Sequence, residues 1–324
     1  MRLNNYAPRP AVIKWLLDSD PAIRWQVMRD LTDASPEEIA AERSRVATEG
    51  WGAELLARQL ADGSWPGGQW DLVTGWSLSV LKDLGLEPAS EQARTMIDRV
   101  KKRLVFKSLN NRPYLDGETE PCINGRILGV GSYFREQGET RDNAPNEALA
   151  QQLIDEQLED GGWNCEAPKS RRSSFHTTIC VLEGLLAYER AQRVNGSKSA
   201  DVAKARNRAE NYLLERCMFR SLRTGEVIDN RWLRFTYPTH WHYDVLRGLD
   251  YLRDAGIKPD GRMDEAMAVV VKRGHQNGRW PLNLLYPERI PLEMETEVGR
   301  ASRWNTLRAL RVLRWYNDQA RVGQ

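Results

Sequence analysis

The sequence predicts an all-α protein, and three observations carry that reading. Apolar residues recur at helical spacing along the chain, with no alternating stretch long enough for a useful strand. Pro and Gly fall mainly between the helical stretches. One turn is written twice: Gln59-Leu60-Ala61-Asp62-Gly63-Ser64-Trp65 and Gln157-Leu158-Glu159-Asp160-Gly161-Gly162-Trp163 share Gln-x-x-Asp-Gly-x-Trp. Each copy lies between two helical segments, as expected of an architecture built from repeated units.

The segments are of two kinds. Amphipathic ones, rich in Ala, Glu, Arg and Lys, run roughly 36–59, 89–105, 145–158, 199–216 and 262–273, and read as an outer layer with one wet face. The first opens on Ser35-Pro36-Glu37-Glu38, which combines an N-cap Ser, Pro at the first helical position and the Glu of a capping box. More apolar segments run roughly 22–32, 70–84, 122–135, 175–190, 240–254 and 302–316, and read as an inner layer. Small residues recur in them at one register (Gly129, Gly184, Gly248, Ala309), where helices would approach closely.

Connecting turns alternate as well. A weaker third form of the Gln-to-Trp turn is His275-Gln276-Asn277-Gly278-Arg279-Trp280. Between the copies lie Phe106-Lys107-Ser108-Leu109 and Phe219-Arg220-Ser221-Leu222. Turn units recur every roughly 45–60 residues, as in helical-pair repeats. With an N-terminal pair over about 11–32 and repeats over about 36–320, the expectation is about six inner and six outer helices. Such hairpins close naturally into an α/α toroid, a single domain over 1–324.

Bulk properties exclude several partners. Lys+Arg 47 against Asp+Glu 45 leaves a net charge of +2, too little to draw nucleic acid or acidic lipid. No apolar run has transmembrane length, and the first twenty residues hold no signal-peptide core. Four scattered cysteines do not make a disulfide framework, so a reduced, cytoplasmic setting is expected. Trp is in excess, 12 against 5 Phe, which suits stacked wedges between repeats or an aromatic-lined cavity.

The Gln-x-x-x-Gly-x-Trp turns resemble the QW motifs of squalene and oxidosqualene cyclases and of protein prenyltransferase β subunits. The resemblance covers most of the chain as architecture, and implies Gln side chains bonding helix ends and Trp rings stacked between repeats. The cyclase Asp-x-Asp-Asp acid is missing. Asp18-Ser19-Asp20-Pro21 is the nearest string and reads as an N-cap before Ile23-Arg24-Trp25-Gln26. Prenyltransferase β subunits hold zinc with Asp-x-Cys and, one repeat later, the His of a Tyr-His-Thr-like helix start. Glu120-Pro121-Cys122 and Ser174-Phe175-His176-Thr177-Thr178 resemble that pair. The resemblance therefore implies zinc held by Glu120, Cys122 and His176, keeping a substrate thiol or water activated. Glu replaces the family's Asp, and Ile123 its Tyr. The basic residues for an isoprenoid diphosphate are not reproduced in that stretch; Arg112 is the nearest, and Arg126, Arg234 or Arg303 would have to replace them.

Repeat register adds candidates. Aligning Glu183-Gly184-Leu185 with Arg247-Gly248-Leu249 sets His240 level with His176 and Asp244 level with Cys180, each pair i, i+4 on one helix face. His240, His242 and Asp244 are thus the acid–base candidates. Cys165 and Cys217 read as structural. The densest aromatic stretch, with Trp232, Phe235, Tyr237 and Trp241, would line a pocket for a hydrophobic isoprenoid-type substrate, capped by Arg303 and Trp304, or would plug the wide end of the ring. Two other readings stay open: a carbohydrate-active toroid using Glu120 with Asp71 or Asp244, and a non-catalytic lipid-binding scaffold. Whether the chain is monomeric or oligomeric has no signature in the sequence.

Overall fold

The computed structural model describes residues 8–67, 70–135, 143–194 and 200–322. It is mostly helical. In chain order the α-helices are α1 (Pro10–Leu17), α2 (Pro21–Leu31), α3 (Pro36–Ser44), α4 (Gly50–Ala57), α5 (Trp70–Leu84), α6 (Glu91–Arg103), α7 (Pro121–Tyr133), α8 (Ala144–Asp155), α9 (Phe175–Val194), α10 (Ala200–Glu215), α11 (Val245–Asp254), α12 (Asp264–Arg273) and α13 (Arg303–Val322). Strand structure among the described residues is confined to two-residue ladders.

Helix starts follow local chemistry. The Ser35 hydroxyl accepts from the Glu38 N–H while Glu38 accepts from the Ser35 N–H, and Pro36 opens α3. Asp20 caps α2 by accepting from Ala22 N–H at 2.8 Å, the role expected of the Asp18–Asp20 string. Two expected segments end differently. The run 36–59 is broken into α3 and α4, because Glu49 is extended and Gly50 takes φ +63, a left-handed conformation that glycine adopts without strain. The run 240–254 becomes helical only at Val245, because Asp244 is its extended N-cap and His240 has φ +48.

The chain divides into two compact units. One comprises Met1–Arg45, Leu213–Pro287 and Glu293–Gln324; the other comprises Val46–Tyr212 and Glu288–Leu292. In the first, called here the terminal unit, α11 packs on α13 and α13 on α2, so the two ends of the chain meet. In the second, the central unit, α5, α7 and α9 pack side by side, with α8 against α7 and α9. The α7–α9 contact is the closest, and glycine allows it. A Cβ on Gly184 would lie 2.0 Å from the Gly125 carbonyl oxygen, and one on Gly129 would lie 3.5 Å from Gly184 Cα. The expected small-residue register is a true packing position there. At Gly248 the neighbours are instead the Tyr243 hydroxyl and the Met218 methyl.

The Gln-to-Trp turns are joints between helices. Gln59 Nε2 donates to Gly63 O and Met96 O, both at 3.1 Å; Gln157 Nε2 donates to Gly161 O at 2.7 Å and Ala205 O at 2.8 Å. The indoles of Trp65 and Trp163 donate to Leu55 O and Leu153 O, and their backbone N–H groups donate to Thr74 and Thr178, each near the start of the following apolar helix. In the terminal unit Trp280 repeats this with Val270 O and Thr306. The turn bonds Leu60 N–Ser64 O, Leu158 N–Gly162 O and His275 N–Arg279 O then align Gln59 and Gln157 with Gly274. The third turn has no Gln, and its backbone sits closer to the ring: a Cβ on Gly274 would lie 2.9 Å from the Trp280 ring.

Candidate functional site

The central unit gathers Glu120, Cys122 and Cys165, whose donor atoms all lie within 4.8 Å of one another. Two of them come from the start of α7. Glu120 is the extended N-cap residue, but its side chain makes no capping bond and remains exposed. Cys122 follows in the first turn, half-buried, with its Sγ 3.6 Å from Glu120 Oε2. Cys165 comes from the turn after Trp163. Asn164 fixes that turn, with Nδ2 donating to Arg172 O at 2.7 Å and Oδ1 accepting from Glu166 N–H at 2.9 Å. Cys165 Sγ is 3.4 Å from Thr177 Oγ1, at the start of α9.

The two thiols are electrostatically unequal. The hydrogen bond from Cys122 holds the Cys165 thiol below its ordinary pKa against burial, with Thr177 adding to the effect. Cys122 is pushed well above its ordinary value, first by that same bond, then by burial and the nearby Cys180. One negative charge therefore settles on the pair readily, and a second does not unless a cation joins it.

Arg126 stands one turn beyond Cys122, its Nε 3.4 Å from the Cys122 carbonyl oxygen. Its Nη1 is buried and has no hydrogen-bond partner among the described residues. Arg126 shares a cavity of about 10 Å³ with Leu72, Gly75, Phe106, Tyr114 and Ile123, room for one water-sized group. Gly75 keeps this cavity open, since a Cβ there would lie 2.7 Å from the Tyr114 hydroxyl.

Of the residues expected to hold a metal, Glu120 and Cys122 come together and His176 does not join them. It is the second residue of α9, half-buried, and the third donor is Cys165. The sequence reading took Cys165 as structural and did not place it beside Glu120 and Cys122.

The acid–base candidates lie in the terminal unit and are placed otherwise than expected. His240 and Asp244 do not share a helix face: His240 is in a turn preceding α11, and Asp244 is the N-cap, its Oδ1 accepting from Arg247 N–H at 2.7 Å. Asp244 is 1% exposed, and Oδ2 has no hydrogen-bond partner among the described residues. Burial pushes its carboxyl pKa up, against the opposing pull of Arg308 and Arg247. Arg308 Nη2 lies 4.0 Å from Asp244 Oδ1. Arg247 donates to the carbonyls of His240 and His242 at 3.0 and 2.7 Å, which ties the turn to the helix. His242 stacks on Tyr286 with ring centroids 3.3 Å apart, and the Trp241 ring lies tilted against it at 3.9 Å.

The substrate-binding candidates are mostly core. Trp232, Phe235, Tyr237 and Trp304 are buried, with Tyr237 stacked on Trp304 at 4.1 Å and Trp232 edge-on to Tyr243 at 5.3 Å. Trp241 is half-buried. Arg303 bonds Asp18 O at 2.9 Å and lies over the Trp15 ring, which makes it a clasp between α13 and the end of α1. Arg234 is exposed. The side chain of Asp71 lies outside the described residues.

A scan against models of known protein families finds none that matches this chain, and a search of curated proteins finds no match either. Among solved structures the chain is similar to a protein from Actinoplanes known from its crystal structure. The identity is 17%, over 92% of this chain and 90% of that one, with a TM-score of 0.44, a likeness too distant to carry an argument.

Proposed function

We propose that the central unit is a zinc-binding centre in which Glu120, Cys122 and Cys165 are the protein ligands, leaving a fourth position for an exchangeable group. The carrying observation is the convergence of two thiols and one carboxylate within 4.8 Å. Zinc–sulfur bonds near 2.3 Å and zinc–oxygen bonds of 2.0–2.2 Å, spread tetrahedrally, set sulfur and oxygen about 3.6 Å apart. Cys122 Sγ and Glu120 Oε2 stand at 3.6 Å. The chemistry of the set agrees, since soft thiolates with one harder carboxylate suit zinc, and half-exposure leaves a route in.

In this reading a bound zinc supplies Lewis acidity at the start of α7. The remaining work belongs to the chain. The N-cap position keeps the Glu120 carboxylate turned outward, Thr177 hydrogen-bonds Cys165 and orients its sulfur, and Arg126 contributes a fixed positive charge one turn away. As the resemblance implies, the substrate class would be a hydrophobic isoprenoid-type small molecule. Leu72, Phe106 and Ile123 line the small cavity that Arg126 shares. The cavity admits only a water-sized group, so the body of such a substrate would lie outside it.

The test is zinc stoichiometry. Metal-stripped protein titrated with zinc should take up one equivalent. Cys122→Ser and Cys165→Ser should each weaken binding by about 100-fold or more, and His176→Ala by less than about threefold. Retention of full affinity by Cys165→Ser would sink the assignment. Native mass spectrometry of gently purified protein checks the substrate class, expecting a retained lipid-like mass.

A further inference from the structure

Cys122 and Cys165 have a second chemistry available that requires no metal. Their sulfurs lie within 4.8 Å of each other, and a disulfide needs about 2.05 Å. The remaining gap of under roughly 3 Å is about what one 120° step in χ1 moves a sulfur atom. Neither backbone is locked in mid-element. Cys122 is in the first turn of α7, and Cys165 is in a connecting turn held by the Asn164 side chain rather than by a helix or ladder. Both cysteines are only half-buried, so a small oxidant reaches them. Cys180, by contrast, is fully buried in α9.

We propose that Cys122 and Cys165 form a reversible dithiol–disulfide couple, oxidised by a hydroperoxide, whose closure removes two of the three donors of the zinc centre. One sulfur, as thiolate, attacks a peroxide oxygen. The O–O bond breaks, an alcohol or water leaves, and that cysteine becomes a sulfenic acid. The second sulfur then attacks it, the S–O bond breaks, water leaves, and the S–S bond forms. Overall the two thiols lose two hydrogens, and the peroxide is reduced by two electrons to an alcohol and water. A thiol reductant restores the pair. The couple shares its residues with the proposed zinc centre but stands without it, because the distance that permits closure belongs to the protein alone.

The experiment uses the full chain, reduced and metal-stripped, then exposed to hydrogen peroxide, alkylated and mapped by peptide mass spectrometry. The expected product is an intramolecular Cys122–Cys165 cross-link with a loss of two hydrogens, reversed by dithiothreitol and blocked by either Cys→Ser change. Zinc loaded beforehand should slow its formation at least tenfold. A cross-link from Cys122 to Cys180, a cross-link between chains, or over-oxidation of either cysteine without any cross-link would overturn the proposal. Failure of zinc to bind, with the cross-link still forming, would count against the zinc centre and not against the couple. Zinc binding without any cross-link would do the reverse.

Discussion

The central and terminal units each contain a cluster of chemically capable residues at the start of an apolar helix, and the two clusters have opposite fates. Glu120, Cys122 and Cys165 are partly exposed, and their donor atoms face one another. Around Asp244 most of the capable groups hold the chain, and the Asp244 Oδ2 that is left without a partner among the described residues is sealed from solvent. Asp244 caps α11, Arg247 ties down the His240 turn, His242 is stacked on Tyr286, and Trp232, Phe235, Tyr237 and Trp304 are core. The difference teaches that residue type and repeat position are not enough. A reactive group must also be left over once the local backbone has been satisfied. Glu120 is left over because it occupies an N-cap position without capping, whereas Asp244 occupies the same position in its own helix and caps it.

The largest effect that would sharpen this contrast lies deep in the terminal unit. Asp250 is paired with Arg311 and Arg253, and Arg311 also reaches Asp30 and Gln26. Burial raises the Asp250 pKa, but Arg311 and the neighbouring arginines overcome that and hold it well below the usual carboxylate range. Asp250→Asn should cost about 3 kcal/mol in urea unfolding, because Arg311 and Arg253 lose the carboxylate they share and Arg311 keeps only Asp30, at 3.5 Å, and Gln26. Its pH signature has a definite sign. The folded pKa is depressed, so the stabilisation is present above the unfolded pKa of about 3.9 and is lost as pH falls through the folded value. The wild-type protein should therefore lose stability below about pH 4 more steeply than the variant.

The turns provide the next test. Gly274→Gln restores the motif in the third turn yet should destabilise by about 1–3 kcal/mol, since the Trp280 ring already occupies that space. Gln157→Ala should cost about 1–2 kcal/mol by removing the donor shared between Gly161 O and Ala205 O. Equal, negligible effects at both sites would mean that the turns are not joints.

The smallest effect is the most diagnostic for Asp244. Its folded pKa is raised, so its favourable contribution is present below the unfolded pKa and disappears as pH rises through the folded value. Asp244→Asn keeps a capping oxygen and removes the buried charge. Thermal unfolding at pH 7 should show it equal to or slightly more stable than the wild type, by up to about 1 kcal/mol. A loss above that would break the contrast, because the charge itself would then be needed.

Much of the fold was legible in the sequence because its causes are local. Helical periodicity, the Ser35 capping box and the Asp20 cap all act over one or two turns, and the structure uses each of them. The breaks at Gly50 and His240 were less visible, since amphipathic spacing runs through both and only the backbone conformation separates the pieces.

The candidate site was half legible for a matching reason. The sequence alone determined the helical hairpins, the repeated joints and the pairing of Glu120 with Cys122, which are neighbours along the chain. Only tertiary structure decided that Cys165, and not His176, lies within 4.8 Å of Glu120 and Cys122, and that Asp244 is a cap rather than half of a helix-face pair. Repeat register fixes roughly where a helix begins, and misses breaks such as those at Gly50 and His240. Whether two side chains meet depends on ångström-scale placement, here set by the Asn164 turn and the glycine-lined approach of α7 and α9.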